Sequence, residues 1–218
     1  MKAYHNDSKI KTKYVNRVKA HAKADQLVKG QYWKDGKGCA VGCTVHSGDH
    51  KSYETELGIP QWMAKLEDRI FEGLPNKRAM TWPIEFLQAI KPGMDLQKCF
   101  IPMLIFIVES AKESARSDRS KDACEGVLIE LRKDPIDITA LRKARDAADA
   151  VNTYAAAAAY VVAAVAATVA VAAAYAAAVY VAEAEADAVA SRSKTYVNFA
   201  DKLLELIRDC EPKETADE

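Results

Sequence analysis

Along the first 135 residues, hydrophobic positions recur at three- and four-residue intervals, the spacing of one face of a helix. Between Ser8 and Lys29 there is neither glycine nor proline. Ile10, Tyr14, Val18 and Ala22 stand four apart among lysines, which predicts an amphipathic helix. GQYWKDGKG, with three glycines in nine residues, predicts a turn-rich connection. In YETELGIP the chain turns again, and Pro60 is placed to open a helix as its first residue. Trp62, Met63, Leu66, Ile70 and Phe71 form the stripe of that helix, which Gly73 and Pro75 end. TWPIEFLQAI predicts a short helix stopped by KPG. The run from Cys99 to Val108 is apolar on every side and is expected to be the buried element of the core, with Pro102 kinking it or marking its start. Asp118 to Lys133 predicts a further amphipathic helix with Ala123, Val127, Leu128 and Leu131 on one side. No alternating run bounded by hairpin turns stands out. The expected class is all-α, a multi-helix globular N-terminal part with long alanine-rich helices packed on it.

The last third differs in kind. Between Pro135 and Pro212 lie 76 residues without glycine or proline, and residues 155–182 hold 17 Ala, 7 Val, 3 Tyr and 1 Thr with no charge. Alanine is the strongest helix former. As one rod the 76 residues would reach ~114 Å at the helical rise. A fold-back is therefore expected, with breaks near Asn152-Thr153 and Ser191-Arg192-Ser193, where polar side chains compete for the backbone. Two regions follow, a helical globular part over 1–135 and a long-helix region over 136–218. The uncharged stretch exceeds the ~20 residues that span a bilayer. It lacks Leu, Ile and Phe, the residues that drive insertion most, so a membrane helix is not the expectation. Small side chains favour close helix packing instead, against the rest of the chain or in a homo-oligomer.

Charge changes the picture only locally. Lysine and arginine (31) balance aspartate and glutamate (31), so the chain has no overall basic field. Residues 1–37 nevertheless carry ten cationic and three acidic residues, a net +7 that the remainder cancels. With Tyr4, Tyr14, Tyr32 and Trp33 as stacking groups, this basic N-terminal helix is a candidate nucleic-acid contact. A solvated helix face has the same composition. The five cysteines are odd in number and the start, KAYHNDSKIKTK, is polar. A reduced, cytoplasmic setting without disulfides is expected.

Candidate chemistry concentrates in GCAVGCTVHSGDH, where Cys39, Cys43, His46 and His50 carry the thiolate and imidazole donors of zinc. They stand at i, i+4, i+7 and i+11. On one continuous helix the outer two would be ~16 Å apart, so a shared zinc requires the helix to end near Ser47-Gly48 and His50 to swing back. Otherwise a pair such as Cys43 with His46 would need help from His5, His21, Glu54 or Glu56. A second reading makes Cys39 a nucleophile, its thiolate favoured at a helix start, with His50 as base and Glu54 or Glu56 orienting the imidazole. A third makes CAVGCTV a short helix of small residues, its glycines giving room for close packing.

The block DGKGCAVGCTVHSGDHKSYETELGIPQWMAKLEDRIFEGLPN resembles a family of bacterial and phage proteins of unassigned function. Those proteins also begin with a helix like YHNDSKIKTKYVNRVKAH and end in an alanine- and tyrosine-rich tract followed by a segment like DKLLELI. The likeness runs along most of the chain. The alanine-rich third is also similar to immunity proteins of bacterial toxin systems. The resulting expectation is a non-enzymatic factor of bacterial or phage origin that binds another protein, of the immunity or host-takeover kind. Its alternative is a cysteine- or metal-dependent enzyme centred on Cys39 and His50.

Overall fold

The structure, a computed structural model, describes residues 1–115, 118–137, 139–141, 143–144 and 189–210. The alanine-rich tract 155–182 and the expected break at Asn152-Thr153 lie outside the described residues. Among those residues the fold is all-α apart from one small hairpin. Backbone proximity divides the chain into two compact units, Met1–Phe100 with Ala200–Glu218, and Ile101–Phe199. No helix among the described residues is long and apolar enough to cross a membrane.

In the first unit, α1 spans Ser8–Lys23 and is capped by Asp7, whose carboxylate accepts the Lys9 N–H at 2.7 Å. It buries Tyr14, Val15 and Val18. The helix stops six residues short of Lys29 because tertiary pairing claims the next segment. Leu27 bridges Gly38, Val28 N–H donates to Gly38 O at 2.9 Å, and Gly38 N–H donates to Gln26 O at 3.1 Å. GQYWKDGKG is a β-hairpin, with β1 (Trp33–Lys34) antiparallel to β2 (Lys37–Gly38). Asp35 and Gly36 both take positive φ, 52° and 78°, the turn that an Asp-Gly pair favours. This hairpin signal was present in KDGK without long alternating flanks to announce it.

The short helices α2 (Ala40–Val45) and α3 (Ser52–Leu57) lead to α4 (Gln61–Gly73). Pro60 is the residue before α4 rather than its first, and all five expected stripe residues are buried. After α5 (Asn76–Ala79), α6 (Trp82–Ala89) lies against α1 and α4, and the Trp82 indole donates to the Glu67 carbonyl at 3.0 Å. The N-terminal residues lock on from the other end. Tyr4, fully buried, donates its hydroxyl to Leu87 O at 2.7 Å, and Ala3 exchanges main-chain hydrogen bonds with Gly93 and Met94.

Helix α7 (Phe100–Ser114) buries Met103, Leu104, Ile107, Val108 and Ala111. Ile105 and Phe106 are only half-buried and Pro102 is exposed, so the apolar run is one-sided and not enclosed all round. Pro102 sits in the first turn, where its missing N–H costs no helical hydrogen bond. In the second unit α8 (Asp118–Leu131) buries Cys124, Val127, Leu128 and Leu131, while Ala123 is half-buried. Lys112–Glu125 and Arg132–Glu109 ion pairs, each at 2.6 Å, tie α7 to α8. The last described helix, α9 (Val189–Asp209), runs unbroken through Ser191-Arg192-Ser193. The expected break is absent because Tyr196, Phe199, Leu203 and Ile207 keep helical spacing and are buried, which outweighs local backbone competition.

Close packing in the first unit depends on Gly42. A Cβ there would lie 1.5 Å from the Tyr32 carbonyl oxygen. Gly42→Ala is expected to destabilise the fold by ~1–3 kcal/mol or more, read as a lowered urea midpoint with an unchanged slope. An alanine tolerated there at no cost contradicts this packing.

Candidate functional site

The Cys/His stretch is set by the hairpin. β2 delivers Gly38 and Cys39 to the start of α2, and the Tyr32 carbonyl occupies the space beside Gly38 and Gly42 that side chains would fill. Cys39 is the N-cap of α2, its sulfur accepting the Gly42 N–H at 3.5 Å and facing Tyr32 O at 3.8 Å. Helix α2 is six residues long and wholly buried, and it ends at His46 in the left-handed region, φ 55°. The continuous helix face on which the four ligands were aligned therefore does not exist.

The expected zinc ligands consequently diverge. Cys43 donates its thiol to Gly38 O at 3.3 Å, and burial pushes that thiol up to about 11. His46 turns to His21 and Trp33, while His50 turns to Asp68, with Nε2 3.5 Å from Oδ2. Among the described residues no three His, Cys, Asp or Glu side chains are grouped to hold a metal ion. Glu54 accepts the Gln61 N–H at 3.0 Å and so caps α4, and Glu56 accepts the Tyr14 hydroxyl. His5 lies 3.2 Å from Thr55 O. Of the expected catalytic set, Cys39 and His50 share one neighbour, Asp68, and Glu54 does not join them.

Two features are assembled instead. The first is an aromatic and imidazole face. The Trp33 and His46 rings stack at 4.4 Å and 13°, and His21 meets both edge-on, at 5.5 and 5.0 Å. His21 Nδ1 is 2.6 Å from Gln26 Oε1, and its Nε2 is 2.8 Å from His46 Nε2. One proton arrangement satisfies this chain with both rings neutral. His21 donates from Nδ1 to the glutamine oxygen, and its Nε2 accepts the N–H of His46. Burial first, then Arg17 and His21, hold His46 below the usual imidazole range. Beside this trio Tyr32 stands 56% exposed and meets the His50 ring edge-on at 5.5 Å. The exposed Lys19, Lys23, Lys34 and Lys37 belong to the same two elements, α1 and the hairpin.

The second feature is a buried acidic pair on α4. Glu67 has no exposure and Asp68 is 7% exposed. The Tyr53 hydroxyl donates to Glu67 Oε2 at 3.4 Å, while Glu67 Oε1 and Asp68 Oδ1 have no hydrogen-bond partner among the described residues. Burial, then the Asp68 charge, hold the Glu67 carboxyl well above the usual range, so Glu67 keeps its proton. Burial and the Asp68 carboxylate also raise the Cys39 thiol far above its ordinary value. A thiolate needs a cationic or helix-end environment. Cys39 has a helix end and a carboxylate, and the carboxylate with burial prevails. That balance favours the protonated thiol.

Sequence reasoning named Tyr32, Trp33, His21, His46 and His50 but missed Glu67 and Asp68. A signal existed, since Glu67 falls four residues after Met63 and four before Phe71, on the apolar stripe itself. Comparisons with protein-family models, with curated proteins and with solved structures find no match to this chain.

The buried carboxyl has a pH consequence. In the unfolded chain Glu67 loses its proton above about pH 4.3, whereas in the folded chain it keeps it to higher pH. Its contribution is full below that point and declines as pH rises, by up to ~1.4 kcal/mol per pH unit until the folded group ionises. Glu67→Gln, neutral in both states, is expected to raise the urea midpoint at neutral pH, by an amount that grows from pH 5 to pH 8. Parallel wild-type and variant profiles over that range contradict a protonated Glu67.

Proposed function

We propose that the chain is a non-enzymatic protein-interaction factor that binds another protein through the face built from Tyr32, Trp33, His21, His46 and His50. The observation that carries this reading is Tyr32. Its ring is among the few large hydrophobic side chains exposed in the described residues, yet its backbone is immobilised by Gly38, Gly42 and Cys39. A rigid exposed aromatic costs little entropy to order on binding, and tyrosine, tryptophan and arginine dominate interface hot spots. The lysines of α1 and the hairpin favour a partner surface of acidic character. The likeness of the alanine-rich third to immunity proteins of bacterial toxin systems supports an immunity or host-takeover role for such a factor. Nucleic acid is the other polyanion that basic, aromatic surfaces take. The enzyme alternative has Asp68 beside both Cys39 and His50 in its favour, and against it a thiol 1% exposed and held protonated.

The test places a photoreactive phenylalanine analogue at position 32, cross-links in an extract of the source cells, and repeats the binding with the purified partner. Tyr32→Ala and Trp33→Ala are expected to weaken that binding by roughly tenfold or more each. A cross-linked species that is nucleic acid, or a protein whose affinity neither substitution changes, overturns the reading.

Thiol chemistry separates the alternative. Cys39 is expected to react with a small alkylating reagent only as fast as the fold opens, whereas a nucleophilic Cys39 is modified within minutes in the native protein. Peptide mapping of the alkylated native chain distinguishes the two.

A further inference from the structure

Cys99 and Cys210 are 111 positions apart in sequence, but their sulfurs are 2.7 Å apart. Cys99 ends the 3-10 turn Leu96–Cys99, and Cys210 directly follows α9. Both belong to the first unit and both are buried, Cys99 at 1% and Cys210 at 8% exposure. The Cys99 sulfur also faces Leu206 O at 3.5 Å, one turn back along α9. All five cysteines are free thiols. Cys39 and Cys43 are turned to backbone groups of the hairpin region instead.

We propose that Cys99 and Cys210 form a dithiol redox site that takes a small disulfide oxidant of the glutathione-disulfide class and closes to an intramolecular disulfide. The sulfurs must approach by only ~0.7 Å to reach the ~2.05 Å bond. Cys210, the more exposed, opens the exchange. Its thiolate attacks one sulfur of the oxidant, the oxidant's S–S bond breaks, and one glutathione leaves as thiolate and takes up a proton. Cys99 then loses its proton and attacks the Cys210 sulfur of the mixed disulfide, expelling the second glutathione, which is protonated in turn. Two protein thiols are oxidised and one glutathione disulfide is reduced to two glutathione thiols. Burial and the adjoining Cys210 sulfur raise the Cys99 thiol, which suits it to resolving rather than initiating. The bond would fix the end of α9 to the turn preceding α7 and close a loop of more than a hundred residues.

The test equilibrates the full chain with mixtures of reduced and oxidised glutathione, alkylates the remaining thiols after unfolding, and maps the peptides. A species lighter by two hydrogens is expected, with its bond between Cys99 and Cys210 and with Cys39, Cys43 and Cys124 alkylated. Its thermal midpoint should lie above that of the reduced chain by on the order of 10 °C. Cys210→Ser should abolish both changes, whereas Cys124→Ser should oxidise as the wild type does. A persistent glutathione adduct on Cys210, a bond elsewhere, or free thiols at the most oxidising ratio overturns the proposal. The wild-type map decides the matter even where a serine variant fails to fold.

Discussion

The carbonyl of Tyr32 lies where side chains at residues 38 and 42 would have to be, and most of the first unit's surface chemistry follows from that contact. It accepts the Cys39 N–H at 3.2 Å and presses the hairpin onto α2. With its main chain held there, the Tyr32 ring stands largely in solvent. Trp33, the next residue, opens β1 and stacks on His46. His46 is available for that stack because α2 is terminated in the left-handed region one residue after Val45. A larger residue at 38 or 42 would separate hairpin from helix, and the aromatic face would lose its support as well as its shape.

The acidic pair on α4 is the opposite kind of feature, costly to the fold and hidden from solvent. A carboxyl with one unpartnered oxygen inside a packed core is destabilising relative to an apolar side chain of similar volume. Keeping Glu67 protonated lessens that cost, since a neutral acid loses far less hydration than an anion. Asp68 is relieved by position, because it lies at the boundary where His50 can approach it at 3.5 Å. His50 in turn meets the Tyr32 ring, so the buried pair and the exposed face share one imidazole.

How far the sequence could be read depended on whether a residue's fate was set by near neighbours or distant ones. The stripe Trp62, Met63, Leu66, Ile70 and Phe71 is local periodicity, and α4 forms where that period runs. The end of α1 is different. Residues 24–29 have no helix breaker, and only their pairing to Gly38 takes them out of the helix. Ser191-Arg192-Ser193 shows the converse, polar residues that suggested a break and were overridden by buried Tyr196 and Phe199. In the site, the residue types were legible and the partners were not. Cys39, His46 and His50 looked collinear only on the premise of a continuous helix. Once the chain reverses at His46 each finds a partner from another element, and no spacing rule specifies which.

The same reasoning bears on why the thiols take different roles. Cys39 and Cys43 sit against main-chain carbonyls of a segment only a few residues away, in a geometry set by the hairpin, and their burial comes with α2 itself. Cys99 and Cys210 are brought together by packing between the start of α7 and the end of α9, and the two residues are 111 positions apart in sequence. A contact of that kind forms only when the whole unit has closed, because no local structure holds the two residues near one another beforehand. Oxidation there would therefore report completed folding and make it harder to reverse, whereas modification of Cys39 or Cys43 would report only that the hairpin had opened. The two pairs of cysteines are chemically alike and differ in what must be folded before each is in place.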